Sequence, residues 1–104
     1  MKLTQLSKLP KSRRRFPFGL YRVNGHSMHP TYSPGDTLLG LRWIRPKPGQ
    51  VVVLHRDKPL IKRIIRITPE GIWIEGDNPD YSTDSRQFGY VPSSSVEAVI
   101  VLKL

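Results

Sequence analysis

Short apolar runs separated by turn residues make up the chain from residue 16 onward, and no segment shows a long helical period. Ten prolines and eight glycines break up the sequence, and the clearest turn signals lie at 33–36, 46–49, 68–71 and 76–79. The runs between them predict six β-strands, at 20–23, 37–43, 51–54, 60–67, 72–75 and 96–102. Strands of this length and spacing are typical of an all-β fold, built as a compact sheet or a partly open barrel.

Basic residues are concentrated at the N-terminus. The formal net charge is +9, and residues 1–15 contain six basic residues and no acidic one, whereas the rest of the chain holds 11 basic and 8 acidic residues. We therefore predict a flexible basic tail over 1–15 and a single domain over 16–104. Such a tail can contact nucleic acid, an anionic membrane surface or an acidic partner, or only keep the protein soluble.

Composition also excludes several classes of site and location. The chain contains no cysteine, so it has neither a disulfide framework nor a thiolate metal site. Its longest uncharged apolar stretches, such as 98–102, are far shorter than the roughly 20 residues that span a bilayer. The N-terminus lacks the apolar core of a signal peptide. We expect a soluble, cytoplasmic protein of undetermined oligomeric state.

A candidate nucleophile lies in the segment 24–31, which reads NGHSMHPT. Ser27 follows a predicted strand, with a glycine before it and a proline after it, and such a turn can present a hydroxyl and its own N–H to a substrate carbonyl. A serine in a turn of this kind is most often only a turn residue. A nucleophilic serine also needs a base.

Lys62 is the candidate base, in the predicted strand 60–67. Strand alternation places it on one face with Leu60 and Ile64. Apolar neighbours on that face can desolvate the amine and lower its pKa, from about 10.4 to near 8 if burial costs the charged form roughly 3 kcal/mol. Arg63 cannot serve, because a guanidinium keeps its proton in proteins. A surface lysine with a partly buried stem is the simpler alternative.

A third segment, 76–92, reads GDNPDYSTDSRQFGYVP and is dense in side chains that hydrogen-bond to the backbone. With it, the sequence resembles the type I signal peptidase family. The matching motifs are SMHPT at 27–31 with PGD at 34–36, PGQVVV at 48–53, IKRI at 61–64, and GDN, DSR and GYVP at 76–78, 84–86 and 89–92. They occur in the family's order and cover about residues 20–102.

The resemblance implies a Ser–Lys serine endopeptidase on the compact, coiled and partly open β-barrel fold shared with LexA-type self-cleaving repressors. It implies Ser27 as the nucleophile and Lys62 as the general base. Ser82 matches a serine that orients the lysine, and Asp84 and Arg86 match a pair that braces the site. No cofactor is implied.

Gly25 occupies a position where some family members have a serine that supplies a second oxyanion donor. The Ser27 N–H would be the first such donor. Gln50, in the PGQVVV motif at 48–53, replaces an aspartate that is common there in the family.

The chain resembles most closely the small nickel-type superoxide dismutase maturation proteases. No anchor-like segment precedes Ser27, and only 12 residues separate Arg63 from Gly76, where large signal peptidases insert a second domain. The resemblance implies removal of an N-terminal extension from a precursor. We expect the substrate to bind as an extended strand, with Met28, Ile61 and Ile64 lining shallow apolar pockets. Cleavage of secretory precursors is the alternative.

Three other interpretations of the sequence have less support. The first is a Ser–His catalytic pair, since His26 and His29 flank Ser27, but close neighbours in a turn rarely reach the hydroxyl correctly. The second is a metal site formed with His55, but the three histidines show no tight ligand spacing. A LexA-like regulatory or nucleic-acid-binding module is the third possibility. It lacks support, because no helix-turn-helix is readable and no Ala-Gly or Cys-Gly bond precedes Ser27. We therefore expect no specific nucleic-acid partner and no metal site.

Overall fold

The computed structural model describes residues 2–5 and 17–104 of the chain. These residues form one antiparallel sheet with few helical turns. A short α-helix, α1, spans Ser85–Phe88, and 3-10 helices span Pro79–Tyr81 and Ser93–Ser95. The strands in chain order are β1 (Lys2–Gln5), β2 (Phe18–Asn24), β3 (Thr37–Leu41), β4 (Val51–His55), β5 (Pro59–Thr68), β6 (Gly71–Glu75) and β7 (Val96–Lys103).

The sheet is open but strongly curved. Its strand order is β1-β2-β3-β7-β4-β5-β6, with β1 and β6 at the two edges. Irregular register in the β3–β7, β4–β7 and β5–β6 pairings marks bulges, which bend a sheet and increase its twist. The curvature brings the edge strand β1 close to β5, although four strands lie between them in the sheet. The end of β2 and the middle of β5 therefore face a common region.

Two apolar clusters fill the two faces of the curved sheet. One packs residues from β2, β3, β4, β5 and β7 around the fully buried Tyr21 and Met28. The other contains Ile64 and Ile74 and is closed by residues of the segment after β6, Phe88 and Val91. A backbone bridge between Ile72 and Val91 fixes that segment against β6. Residues 60–62 of β5 are thus buried on both faces of the strand, whereas residues 65–67 are exposed.

The all-β, partly open fold predicted from the sequence is confirmed, and all six predicted strands are present, with no end shifted by more than two residues. Residues 2–5 differ from the prediction, because we placed them in a flexible tail and they form β1, paired with residues 21–24. The remainder of that predicted tail lies outside the described residues. Within the described part of the chain, no helix is long and apolar enough to cross a membrane.

Candidate functional site

The turn that carries Ser27 begins where β2 ends. Gly25 has a φ of +89°, in the left-handed region that favours glycine, so the chain can reverse there without strain. Main-chain hydrogen bonds from His29 N to His26 O (3.1 Å) and from Tyr32 N to Met28 O (2.9 Å) close the turn. The Met28 side chain is buried in the first apolar cluster and anchors the turn to the core. Ser27 itself is fully buried.

Lys62 lies in the middle of β5, opposite Val52 of β4. It is 1% exposed, on the buried face that it shares with Leu60 and Ile64. Its Nζ donates a hydrogen bond of 2.8 Å to Ser82 Oγ. Burial lowers the pKa of Lys62 from 10.5 to about 8, and the nearby carboxylate of Asp84 opposes this shift in part. The amine is therefore close to half-neutral in mildly alkaline solution.

The pKa of Lys62 is also lowered by two other cations. The positive charges of Arg86 and Lys58 disfavour a third charge on the Lys62 amine. Both effects act in the same direction as burial. They keep the amine available as a proton acceptor despite the carboxylate nearby.

Asp84 holds Ser82 in place from the other side. Ser82 Oγ donates to Asp84 Oδ2 at 2.5 Å, and the Gly76 N–H donates to the same oxygen at 2.8 Å. Arg86 adds two side-chain bonds to the carboxylate, at 2.7 and 3.0 Å. Burial alone would raise the pKa of Asp84, but the hydrogen bonds from Arg86, Ser82 and Gly76 outweigh it and hold that pKa well below its usual range. The carboxylate is thus permanently charged.

The same carboxylate caps the helix α1. Asp84 Oδ1 accepts the Arg86 N–H at 3.1 Å, and the Gln87 side chain accepts the Asp84 N–H at 2.8 Å, which together form a capping box. Ser85 Oγ meanwhile accepts the N–H of Ile74 in β6. Local sequence therefore fixes Asp84, and Asp84 in turn fixes Ser82.

Gly76 brings this network close to the Ser27 turn. A Cβ on Gly76 would lie 2.3 Å from Ser82 Oγ and 2.7 Å from the carbonyl oxygen of Ser27. Ser82 Oγ and the Ser27 carbonyl oxygen therefore lie close to each other, because both are within 2.7 Å of the same point. Only a residue without a side chain fits between the hydroxyl that binds Lys62 and the backbone of Ser27.

The next two residues fasten the Ser27 turn to the sheet. The Asn78 N–H donates to Ser27 O at 2.8 Å, and its side-chain amide donates to His26 O at 3.0 Å. Asp77 accepts a bond of 2.6 Å from Thr31 Oγ1 and two bonds from Arg63, at 2.9 and 2.8 Å. Arg63 is next to Lys62 on β5, so this ion pair links the Ser27 turn to the strand that carries Lys62.

We did not assign these roles to Arg63, Asp77 and Asn78 from the sequence. The GDN motif at 76–78 was the available signal, because three turn-forming residues in a row can bind backbone groups of another segment. The hydrogen bonds that they make to the Ser27 turn are tertiary contacts with residues about 50 positions earlier. No periodicity in the sequence indicates such contacts.

The predicted substrate-lining residues are placed in the core instead. Met28, Ile61 and Ile64 are each fully buried. Met28 and Ile61 belong to the first cluster and Ile64 to the second, because Ile61 points to the opposite face of β5 from Lys62. The three side chains therefore do not form one surface that a substrate could contact.

The histidines are also separated. His26 and His29 are exposed and border a surface pocket of about 420 Å³, whereas His55 bonds to Glu97 at the end of β4. Among residues 2–5 and 17–104, no group of three or more histidine, aspartate or glutamate side chains is arranged to hold a metal ion.

Comparison with known proteins gives one family. The profile of the family described as Peptidase S24-like matches residues 5–92. Mitochondrial inner membrane protease subunit 1 of Xenopus tropicalis is 38% identical over 56 residues, which are 54% of this chain and 34% of the relative. Mitochondrial inner membrane protease subunit 2 of Schizosaccharomyces pombe is 28% identical over an alignment of 108 positions, which covers 76% of this chain and 60% of the relative. The chain thus spans between about a third and 60% of the length of these relatives.

Proposed function

The chain belongs to the Peptidase S24-like family, and from this premise we propose that it is a serine endopeptidase with Ser27 as nucleophile and Lys62 as general base. The observation that carries the proposal is the state of Lys62. A lysine with a pKa of about 8 that is buried and hydrogen-bonded to Ser82 can accept a proton near neutral pH, which an exposed lysine cannot do.

In the proposed reaction, neutral Lys62 takes the proton of Ser27 Oγ as the oxygen attacks the substrate carbonyl. The Ser27 N–H stabilises the resulting oxyanion. Lys62 then returns the proton to the leaving amine, and an acyl-enzyme remains on Ser27. Attack of a water molecule, again with Lys62 as base, releases the acid product and restores Ser27. Ser82 and Asp84 act by holding the Lys62 amine in position.

A second oxyanion donor from a side chain at position 25 does not belong to this mechanism. Gly25 has no side chain, and its φ of +89° disfavours a serine in the same conformation. The proposed oxyanion hole therefore depends on main-chain donors.

We infer that the substrate is an extended segment near the N-terminus of a precursor protein. The support comes from β1, since residues 2–5 pair with β2 just before the Ser27 turn and lie near β5. This edge of β2 therefore accepts an extended chain through main-chain hydrogen bonds. A substrate strand would take the place of β1 there, next to the strand that carries Lys62.

The precursor of a nickel-dependent superoxide dismutase is our preferred substrate, because of the resemblance to the small maturation proteases. Secretory precursors are the second candidate, favoured by the similarity to mitochondrial inner membrane protease subunits. The cytoplasmic location and a membrane contact of the basic tail stay predictions.

The test is to incubate the purified chain with an extended dismutase precursor and with a secretory preprotein, and to map new N-termini by mass spectrometry. The Ser27→Ala variant is the matched control, and Lys62→Ala is the second. We expect one new N-terminus with the native chain and none with either variant. Full cleavage by a folded variant would contradict the Ser–Lys pair, and cleavage of the secretory preprotein alone would contradict the dismutase precursor as substrate.

A further inference from the structure

A pocket of about 350 Å³ opens beside Lys62, on the side of the β4–β5 turn. Leu60 and Lys62 of β5 form its floor, and Thr83 and Phe88 form one wall. Thr83 lies between the two residues that hold the Lys62 amine in place. The pocket therefore adjoins the proposed base directly, although Ser27 does not line it.

The rim of this pocket is formed by the turn between β4 and β5 and is positively charged. Arg56 and Lys58 lie on it with one acidic residue, Asp57, and all three are exposed. Across residues 2–5 and 17–104, none of these three side chains forms an ion pair. The Arg56 guanidinium instead lies 3.8 Å from the centre of the Phe88 ring, a contact that fixes it over the wall. Two cations thus face a cleft with a single opposing charge.

We propose that this pocket binds an acidic side chain of the substrate, a glutamate or an aspartate close to the scissile bond. The inference rests on the proposed function of Ser27 and Lys62. A carboxylate entering the pocket meets Arg56 and Lys58 at the rim and Thr83 on the wall. A basic side chain would meet the same two cations and the amine of Lys62, so like-charge repulsion selects against it.

The geometry of β5 limits where this side chain can lie in the substrate. Residues on the face of Lys62 are spaced two apart, so Leu60 lies about 7 Å from Lys62 along β5, and Lys58, in the turn before the strand, lies no more than about 13 Å from it. An extended peptide covers that distance in about two to four residues. The acidic residue is therefore expected two to four positions from the bond that is cleaved.

The proposal predicts a preference that the charge of the rim controls. The probe is a set of 12-residue internally quenched peptides with Ala-Ala at the centre and Glu, Gln or Lys at one flanking position at a time. At one position, kcat/KM is expected to be about fivefold higher for Glu than for Gln and lower still for Lys, as for an exposed ion pair. Lys58→Glu should remove or reverse the ratio. Lys47→Glu, an exposed lysine that does not line this pocket, should leave it unchanged.

The ratio between peptides is the decisive quantity, because Lys58→Glu also removes a charge that lowers the pKa of Lys62 and so reduces cleavage of every peptide. A second readout is the pH dependence of kcat. The carboxylate of the bound Glu peptide should raise the pKa of Lys62 in the complex, so kcat should begin to rise at a higher pH than with the Gln peptide. The pH dependence of kcat/KM should agree for both peptides, because it reports the free enzyme.

Equal kcat/KM for the three residues at every position would overturn the acidic-side-chain proposal and leave the peptidase assignment intact. A Glu preference that survives both Lys58→Glu and Arg56→Glu would overturn it as well. Cleavage of no peptide by the folded native chain would count against the proposed function itself.

Discussion

Lys62→Met is expected to abolish cleavage and to make the protein more stable at neutral pH. The pKa of Lys62 is lowered by burial from 10.5 to about 8, so the charged amine is unfavourable in the folded state. In the interval between these two values the unfolded chain binds more protons than the folded chain, and stability therefore rises with pH. Below about pH 8 the full cost is present, and it amounts to about 3 kcal/mol.

Methionine is unbranched like lysine, is shorter by the terminal charged atom, and carries no charge, so this cost disappears. The variant loses the hydrogen bond from Nζ to Ser82 Oγ, worth about 1 kcal/mol. The net stabilisation at pH 7 is therefore about 2 kcal/mol, or about 10 °C in Tm for a domain of this size. At pH 10 the folded chain no longer buries a charged amine, and most of this cost has been relieved. The difference in stability between the variant and the native chain should therefore fall to about zero.

Urea unfolding followed by tryptophan fluorescence at pH 7 and pH 10 measures this difference. Lys47→Met is the control, because Lys47 is exposed and its replacement should change stability little at either pH. A lower free energy of unfolding for Lys62→Met than for the native chain at pH 7 would refute the reasoning. So would a difference that is the same at pH 7 and pH 10.

Three further predictions concern the surroundings of the pair. Gly76→Ala should lower kcat/KM by about 100-fold, because its Cβ would overlap Ser82 Oγ and the Ser27 carbonyl oxygen. Gly35→Ala is the control: a Cβ there meets open space, and the φ of +94° should cost only about 1 kcal/mol of stability. Comparable activity of the two variants would contradict the close contact at Gly76. Ser82→Ala should also lower kcat/KM by about 100-fold at unchanged fold, and native rates would exclude a positioning role. Deleting residues 1–14 should preserve the fold, shown by circular dichroism, and lower KM for short peptides by freeing the edge of β2; a higher KM or an unfolded chain would argue against this.

The six central strands could be predicted because local signals agree with the tertiary structure. Apolar runs of four to eight residues are bounded by segments rich in proline, glycine, asparagine, aspartate and serine, and the structure has a strand for each of them. The edge strand β1 was missed because residues 2–5 lie in a basic, aperiodic segment. Their pairing depends on the free edge of β2, which the sequence of the segment itself does not encode.

The face of each side chain on β5 was harder to predict than the strand. Alternation correctly grouped Leu60, Lys62 and Ile64, and the structure buries all three on one face. It also implies that Ile61 points the other way, which conflicts with our grouping of Ile61 and Ile64 as one substrate surface. Residues 60–62 are buried on both faces of β5, so apolar character alone does not indicate contact with a substrate.

The candidate site was predicted as a set of residues but not as an arrangement. Motif resemblance selected Lys62, Ser82, Asp84 and Arg86, and the structure joins them in one hydrogen-bonded chain. The close approach at Gly76 could not be predicted, because a glycine after a strand is usually read as a turn residue. Its reason lies in a contact with two other segments of the chain.

The pH dependence of kcat/KM tests the central claim most directly, because it reports the pKa of the essential base in the free enzyme. It should be measured from pH 5 to 10 with a peptide that carries no titrating group. If Lys62 is the base, kcat/KM rises about tenfold per pH unit and levels off above a pKa of about 8. A limb centred near 6.5, the ordinary pKa of a histidine, or a rate independent of pH would contradict the assignment.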